Sequence, residues 1–345
     1  MHKFSAAALA VLALVYWSAV EVAAEGRKLA VVVGVNTYRA NSGLPNLRFA
    51  ANDAGSLSAA LRKQGYTVFE LTHDRARVPG SEHFAPNIAY IRDQIEGVLR
   101  YPNLGADDAV LICLHGHGVQ FEQVDDAGRR TAQFYFCPAD ATISGIKTAN
   151  QLAATNNLLP LDEIYAQLGE CTAATKLLIV DACRNDPTQP DVFRSALASS
   201  TLPRLPPPPG GTAAFFSCRA EQRAVEDPEL NQGVFTHFIV QGLQGRADQP
   251  RGGQTSGDGI VTLAELSAYV ANNTYAHVFE KYNVRQSPEL RGDFDLNLPL
   301  AALGSRSRPA TEMKLPNNPA PPPAETLNPR QQQSQPDALL NLFTL

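Results

Sequence analysis

The sequence lacks the marks of several large protein classes. Its 345 residues carry 29 Lys and Arg against 34 Asp and Glu, a formal net charge of −5, so no basic excess exists. Nucleic-acid binding draws much of its free energy from Lys and Arg set against phosphates, and nucleic acid is set aside as a partner. No Cys-x-x-Cys pair occurs among the five cysteines, which removes the usual framework of a structural zinc site. Asp258-Gly259-Ile260-Val261-Thr262-Leu263-Ala264-Glu265 matches the second half of an EF-hand loop. Gln254 and Ser256, however, stand where that loop needs its leading carboxylates. Thr262 and Glu265 fit instead a capping box opening a helix that runs towards Val270.

What remains is an ordinary globular composition, 44% hydrophobic and 18% charged, with length enough for a large α/β core. The chain begins with a short positive start at His2 and Lys3. An almost wholly apolar run from Phe4 to Val20 follows, then the small residues Val22-Ala23-Ala24. This is the pattern of a signal peptide over residues 1–24, with cleavage before Glu25 and no membrane span left afterwards. An uncleaved membrane anchor is the competing reading. Both readings export the domain, to the periplasm or the extracellular space. An odd cysteine count in an exported protein predicts at least one free thiol. Cys113 and Cys137 lie in apolar runs and read as small buried hydrophobes; Cys171 and Cys218 could pair.

From Lys28 onward strands and helices alternate. Leu29–Val33, Tyr66–Leu71, Ala109–Leu114, Phe134–Cys137, Leu177–Asp181 and Ala213–Cys218 read as strands. Phe49–Leu61, Ile88–Leu99, Leu161–Leu168 and Gly233–Leu243 read as helices. Such alternation predicts an α/β fold, a mostly parallel central sheet flanked by helices on both faces. Residues 187–211, with prolines at 187, 190, 203 and 206–209, read as an exposed connector inside a domain spanning residues 25–301. Residues 302–345, rich in Pro, Gln, Asn and Ser, read as a disordered tail.

Two strands end in reactive side chains. Leu177-Leu178-Ile179-Val180-Asp181 runs into Ala182-Cys183-Arg184-Asn185-Asp186, and Val110-Leu111-Ile112-Cys113-Leu114 runs into His115-Gly116-His117-Gly118. Open α/β sheets bind ligands beyond the carboxyl ends of their strands. A thiol and an imidazole placed there form the minimal unit of thiol nucleophilic catalysis. Periodicity alone does not choose between His115 and His117, which share a face in an extended strand.

The two stretches resemble the caspase-like cysteine peptidases, the clan of caspases, metacaspases and their bacterial relatives. Leu114-His115-Gly116-His117-Gly118 is similar to the metacaspase Ser-Gly-His-Gly element, with His115 in place of serine. The likeness continues through Leu47–Leu61, Leu161-Asp162-Glu163-Ile164-Tyr165 and Gly233-Val234-Phe235-Thr236, and covers roughly residues 27–300. It implies a caspase-like fold and a cysteine endopeptidase acting on protein or peptide substrates. Cys183 would be the nucleophile, His117 the base and leaving-group acid, and the amides of Gly118 and Cys183 the oxyanion donors. By the same resemblance Asp53 and Asp181 would form an S1 pocket for arginine or lysine. Arg48 and Arg219 fall near the positions where caspases bind a P1 aspartate, and they give the alternative S1 assignment. Arg194 and Arg204 are candidate sites of self-cleavage in the connector. No cofactor is required on this reading. Calcium activation is a trait of metacaspases, but Asp162-Glu163 also fits a helix start and fixes no metal ligand. A non-enzymatic binding module and a thiol hydrolase for another acyl group are the rival functions.

Overall fold

The computed structural model describes residues 26–124, 128, 130–146, 151, 155, 157–183, 205–220, 222–250 and 257–304. The segment read as a signal peptide, both Arg194 and Arg204, and residues 305–345 of the stretch read as a tail from 302 lie outside the described residues; Ala302 itself closes a strand.

A six-stranded sheet forms the centre. Its strands are β1 (Lys28–Gly34), β2 (Thr67–Leu71), β3 (Ala109–His115), β7 (Thr175–Asp181), β8 (Thr212–Phe216) and β12 (Glu289–Arg291). They lie in the order β12-β8-β7-β3-β1-β2, all parallel except β12, which pairs antiparallel with β8 at the edge. The fold class read from the sequence is therefore the one observed. Near-continuous apolar runs in β3 and β7 follow from burial on both faces.

Side-chain alternation sorts the two faces. Val110, Ile112, Leu114, Leu178 and Val180 pack with α3 (Ile88–Leu99) and α4 (Leu161–Glu170) through Ile91, Ile95, Ile164 and Leu168. Leu111, Cys113, Leu177 and Ile179 face the other way, onto α1 (Ala50–Lys63), α5 (Val234–Gln241) and α6 (Leu263–Tyr282). A four-residue helix, α2 (His73–Ala76), follows β2. Odd-numbered residues of β3 and β7 thus look towards α1 and α5. His115 and Asp181, the last residues of those strands, are register partners on that face.

Several elements escape the periodicity. Phe134–Cys137 is the end of a longer strand, β5 (Arg130–Phe136), which pairs antiparallel with β4 (Gly118–Val124) and then with β6 (Leu159–Pro160). The short pair β9 (Glu226–Asp227) and β10 (Gln232–Gly233) precedes α5, and β11 (Ile260–Thr262) pairs with β13 (Pro299–Ala302). The capping box is present: Thr262 accepts from the Glu265 amide and the Glu265 carboxylate accepts from the Thr262 amide.

Two expectations need correction. The connector is not exposed to its end, because Leu205 and Pro208 are buried and the Leu205 carbonyl accepts from Arg291 Nη2 at 2.8 Å. Apolar side chains near the start of β8 carry that stretch back into the core. Cys171 and Cys218 do not pair; all five cysteines are free thiols, and burial of four of them accounts for their presence as small hydrophobes. Among the described residues no helix is long and apolar enough to cross a membrane.

Candidate active site

The carboxyl ends of β3 and β7 carry the candidate site. The Gly116 amide donates to the Asp181 carbonyl at 3.2 Å, so the two strand ends stay together one residue past the ladder. Both chains then leave extended geometry, at Gly116 and Ala182. The period-two argument therefore ends where the chemistry begins. His115 stays inside the domain, 1% exposed, while His117 lies half-buried on the β3–β4 connection.

His117 is held from three sides. Its amide donates to Tyr38 Oη at 2.8 Å, its ring lies 5.0 Å from the Tyr38 ring, and its Nε2 is 2.8 Å from the Pro45 carbonyl. A carbonyl only accepts, so Nε2 carries the proton and Nδ1 keeps its lone pair. Burial lowers the His117 pKa below the ordinary histidine value, against the opposing pull of Pro45 and Glu226. A neutral imidazole with a bare Nδ1 is a competent general base near neutral pH.

Cys183 sits beside the start of β4. A β-carbon on Gly118 would lie 2.7 Å from the Cys183 carbonyl oxygen and 2.5 Å from the Phe134 ring, so only glycine permits this approach. The Cys137 amide donates to the His117 carbonyl at 2.9 Å, which makes Gly118 and Phe136 a non-hydrogen-bonded pair. The Gly118 amide consequently points away from β5 and is open to another acceptor. Cys183 Sγ accepts from the Ala224 amide at 3.3 Å, a contact that favours the thiolate.

Asp53, His115 and Asp181 meet beneath this pair. Asp53 comes from α1, whose start is pinned by the Glu226 carboxylate accepting from the Phe49 amide at 2.7 Å and the Arg48 amide at 3.1 Å. Its carboxylate accepts from the Gly233 amide at 2.9 Å. Asp181 Oδ2 accepts from Thr236 Oγ1 at 2.7 Å, and Thr236 Oγ1 also lies 3.1 Å from His115 Nδ1. Burial, and next the charge of Asp181, push the Asp53 carboxyl well above the usual carboxylate range.

Arg48 and Arg219 do not join this group. Arg48 is exposed with its guanidinium 5.0 Å from the Phe49 ring centre, and Arg219 is exposed with its amide donating to Gln222 Oε1. Glu163 is taken by Arg92, which binds both its oxygens at 2.8 and 2.7 Å, so Asp162-Glu163 is a helix start tied to α3.

Sequence reasoning gave no role to Tyr38, Glu226, Gly233, Thr236 or Asp227. Asp227, at the β9–β10 turn, accepts from Glu229 N, from His277 Nε2 at 2.7 Å and from Lys281 Nζ at 2.9 Å. These contacts anchor to α6 the loop that delivers Glu226, Gly233 and the Ala224 amide. They also hold the Asp227 carboxyl well below the ordinary range, against the cost of burying it. Asp227→Ala is expected to lower stability by about 1–3 kcal/mol in urea unfolding at pH 7. The native pKa is depressed, so this contribution exists above the unfolded value near 3.9 and fades as pH falls through the native one. An equal effect at pH 7 and pH 2 would refute the ion-pair account.

The caspase domain family matches residues 27–294. The chain belongs to the caspase-domain family. Its caspase domain therefore spans the sheet, both helical layers and every residue of the candidate site. Among solved structures, the caspase fold of this chain is similar to a crystal structure of a protein from Geobacter sulfurreducens. The TM-score is 0.51 at 16% sequence identity, over 80% of this chain and 99% of that one. No curated protein matches the chain. The family is one of caspase-like peptidases, which implies protein substrates.

Proposed function

We propose that the protein is a cysteine endopeptidase that acts after export and cleaves on the carboxyl side of arginine or lysine, with Cys183 and His117 as its dyad. The observation that carries this is the His117 ring, fixed by the Pro45 carbonyl with Nδ1 bare, one residue before the Gly118 that packs against the Cys183 carbonyl. Nδ1 takes the thiol proton and the thiolate attacks the scissile carbonyl carbon. The Gly118 and Cys183 amides donate to the oxyanion. On collapse, His117 returns the proton to the leaving amine. Water, deprotonated by the same nitrogen, then releases the acyl group from sulfur. Two buried carboxylates below the nucleophile suit a long cationic P1 side chain, and arginine can pair with a carboxylate through two bonds. A fluorogenic peptide set varying only P1, assayed with and without calcium, tests the reading. Cleavage after arginine and lysine is expected; cleavage after aspartate alone would transfer P1 recognition to Arg48 and Arg219.

The connector is the enzyme's own first substrate on this proposal, because it leaves the strand end that carries the nucleophile, and effective concentration is high. Arg194 before Ser195 is the favoured bond. Arg204 is adjacent to the buried Leu205, so a strand of substrate around it would have to strip Leu205 from the core. Intact mass of purified protein beside its Cys183→Ala variant is expected to show two fragments joining at Arg194 and Ser195 only in the former. Identical masses after prolonged incubation would reject self-cleavage.

A further inference from the structure

We propose that Glu226 is the positioning residue of the dyad, a carboxylate that ties the loop orienting His117 to the segment that binds Cys183. The inference rests on the dyad read above and gives its geometry a cause.

The tie begins with a helix that does not cap itself. Phe49 precedes α1 and has no side-chain acceptor, so the amides at the helix start need one from elsewhere. Glu226 supplies it from 177 positions away. Its Oε1 accepts from the Phe49 amide at 2.7 Å and from the Arg48 amide at 3.1 Å, and Oε2 lies 3.1 Å from the same Arg48 amide. A carboxylate also suits the positive end of a helix. Pro45 lies in the same stretch, and its carbonyl accepts from His117 Nε2. Asn36 closes the stretch: its carbonyl accepts from the Leu47 amide at 2.8 Å and its Nδ2 donates to the Arg48 carbonyl at 3.1 Å. The carbonyl that aims the imidazole is therefore anchored through Glu226.

The other end of the tie reaches the thiol. Two residues before Glu226, the Ala224 amide donates to Cys183 Sγ at 3.3 Å. Val225 between them is fixed twice. Its amide donates to Oε1 of the buried Gln286 at 3.0 Å, and its carbonyl accepts from the Val234 amide at 2.9 Å. Residues 224–226 thus form a braced bridge with the nucleophile at one end and the loop of the base at the other. Both Glu226 oxygens are engaged by backbone amides, which suits holding the site rather than receiving a P1 side chain.

The charge acts as well. Burial lowers the His117 pKa, and Glu226 pulls it back up, so this carboxylate favours the imidazolium that forms when His117 takes the thiol proton. Tyr38, against the same ring, stays neutral because burial pushes its phenol well above the usual range. On the α1 side of Glu226, burial and the Asp181 charge keep the proton on Asp53, and the exposed Arg48 guanidinium lies over the Phe49 ring.

Two variants separate these roles from plain helix capping. Glu226→Ala should lower kcat for an arginyl peptide at least about a hundredfold with little change in KM, the cost of displacing a catalytic group by about an ångström. Glu226→Gln keeps an oxygen that can accept from both amides, as Oε1 does now, and loses the charge. It should recover about tenfold of the lost kcat. Its acid limb of kcat/KM should move to lower pH, because an imidazole without its anion is protonated less readily. Iodoacetamide needs no P1 side chain and reads the dyad directly. Alkylation of Cys183 at about pH 6 should slow in Glu226→Ala and be partly restored in Glu226→Gln. Parent-like kcat and alkylation in Glu226→Ala would overturn the positioning role. An acid limb that stays or rises in Glu226→Gln would overturn the electrostatic one. A loss confined to KM for the arginyl peptide, with a neutral-P1 peptide and alkylation untouched, would make Glu226 part of P1 recognition instead. If Glu226→Ala fails to fold, the pH profile of Glu226→Gln decides. If the parent protein cleaves no peptide, the peptidase reading falls and the alkylation rates still decide on Glu226.

Discussion

Cys183→Ala and His117→Ala are each expected to lower kcat/KM for an arginyl peptide by at least about a thousandfold, with the fold unchanged by circular dichroism. Neither change disturbs the core: Cys183 is part-exposed, and His117 lies past the end of β3. His115→Ala should cost much less, because that ring looks down towards α5 and meets Thr236 rather than the reacting atoms. The pH profile provides a second check. Burial lowers the His117 pKa, so its neutral form survives to more acid pH than an ordinary histidine with a pKa near 6.5. The acid limb of kcat/KM should accordingly fall below that value. Removing the Tyr38 ring by Tyr38→Leu takes away much of that burial and should move the limb upward. An inactive His115→Ala beside an active His117→Ala would exchange the two roles.

The strands of the sheet were legible because they are buried on both faces, and short unbroken apolar runs such as Val110–Leu114 and Leu177–Val180 suit that setting. Helix α3 was legible for a related reason: Asn87 caps it and Ile88, Ile91, Ile95 and Val98 keep a helical period. The β4–β5 hairpin was less so, since it lies outside the central sheet and Gly118–Val124 mixes polar and apolar residues. At the site, the two strand ends announced Cys183 and His117 through side-chain chemistry. The groups that aim them act through backbone atoms: the Pro45 carbonyl, the Ala224 amide and the Gly233 amide. A carbonyl or an amide is present at every position, so no residue type marks the ones that matter. Glu226 is a different case, being an ordinary charged residue until the fold sets it 177 positions away against the start of α1.

Asp53→Asn and Asp181→Asn are each expected to remove about 2–5 kcal/mol of transition-state binding for an arginyl substrate, roughly 30-fold to several thousandfold in kcat/KM. Much of that loss is the cost of leaving a desolvated cation without its partner. A substrate with a neutral P1 side chain should lose far less, which separates loss of the pocket from general damage. Asp53 adds a thermodynamic signature. Its native pKa is raised above the unfolded value near 3.9, so the native state binds the proton more tightly. Stability is therefore greatest below the unfolded value and declines as pH rises through the native one, where the buried carboxylate must ionise beside Asp181. The side-chain amide introduced by Asp53→Asn does not ionise. The stability of this variant relative to the parent protein should grow from pH 4 to pH 8, read from urea midpoints, while its arginyl peptidase activity falls. Saturating agmatine should narrow the gap at pH 8 by supplying the parent pocket with its cation. A variant no more stable at pH 8 than at pH 4 would mean that Asp53 ionises freely, and the strained acidic pocket would have to be abandoned.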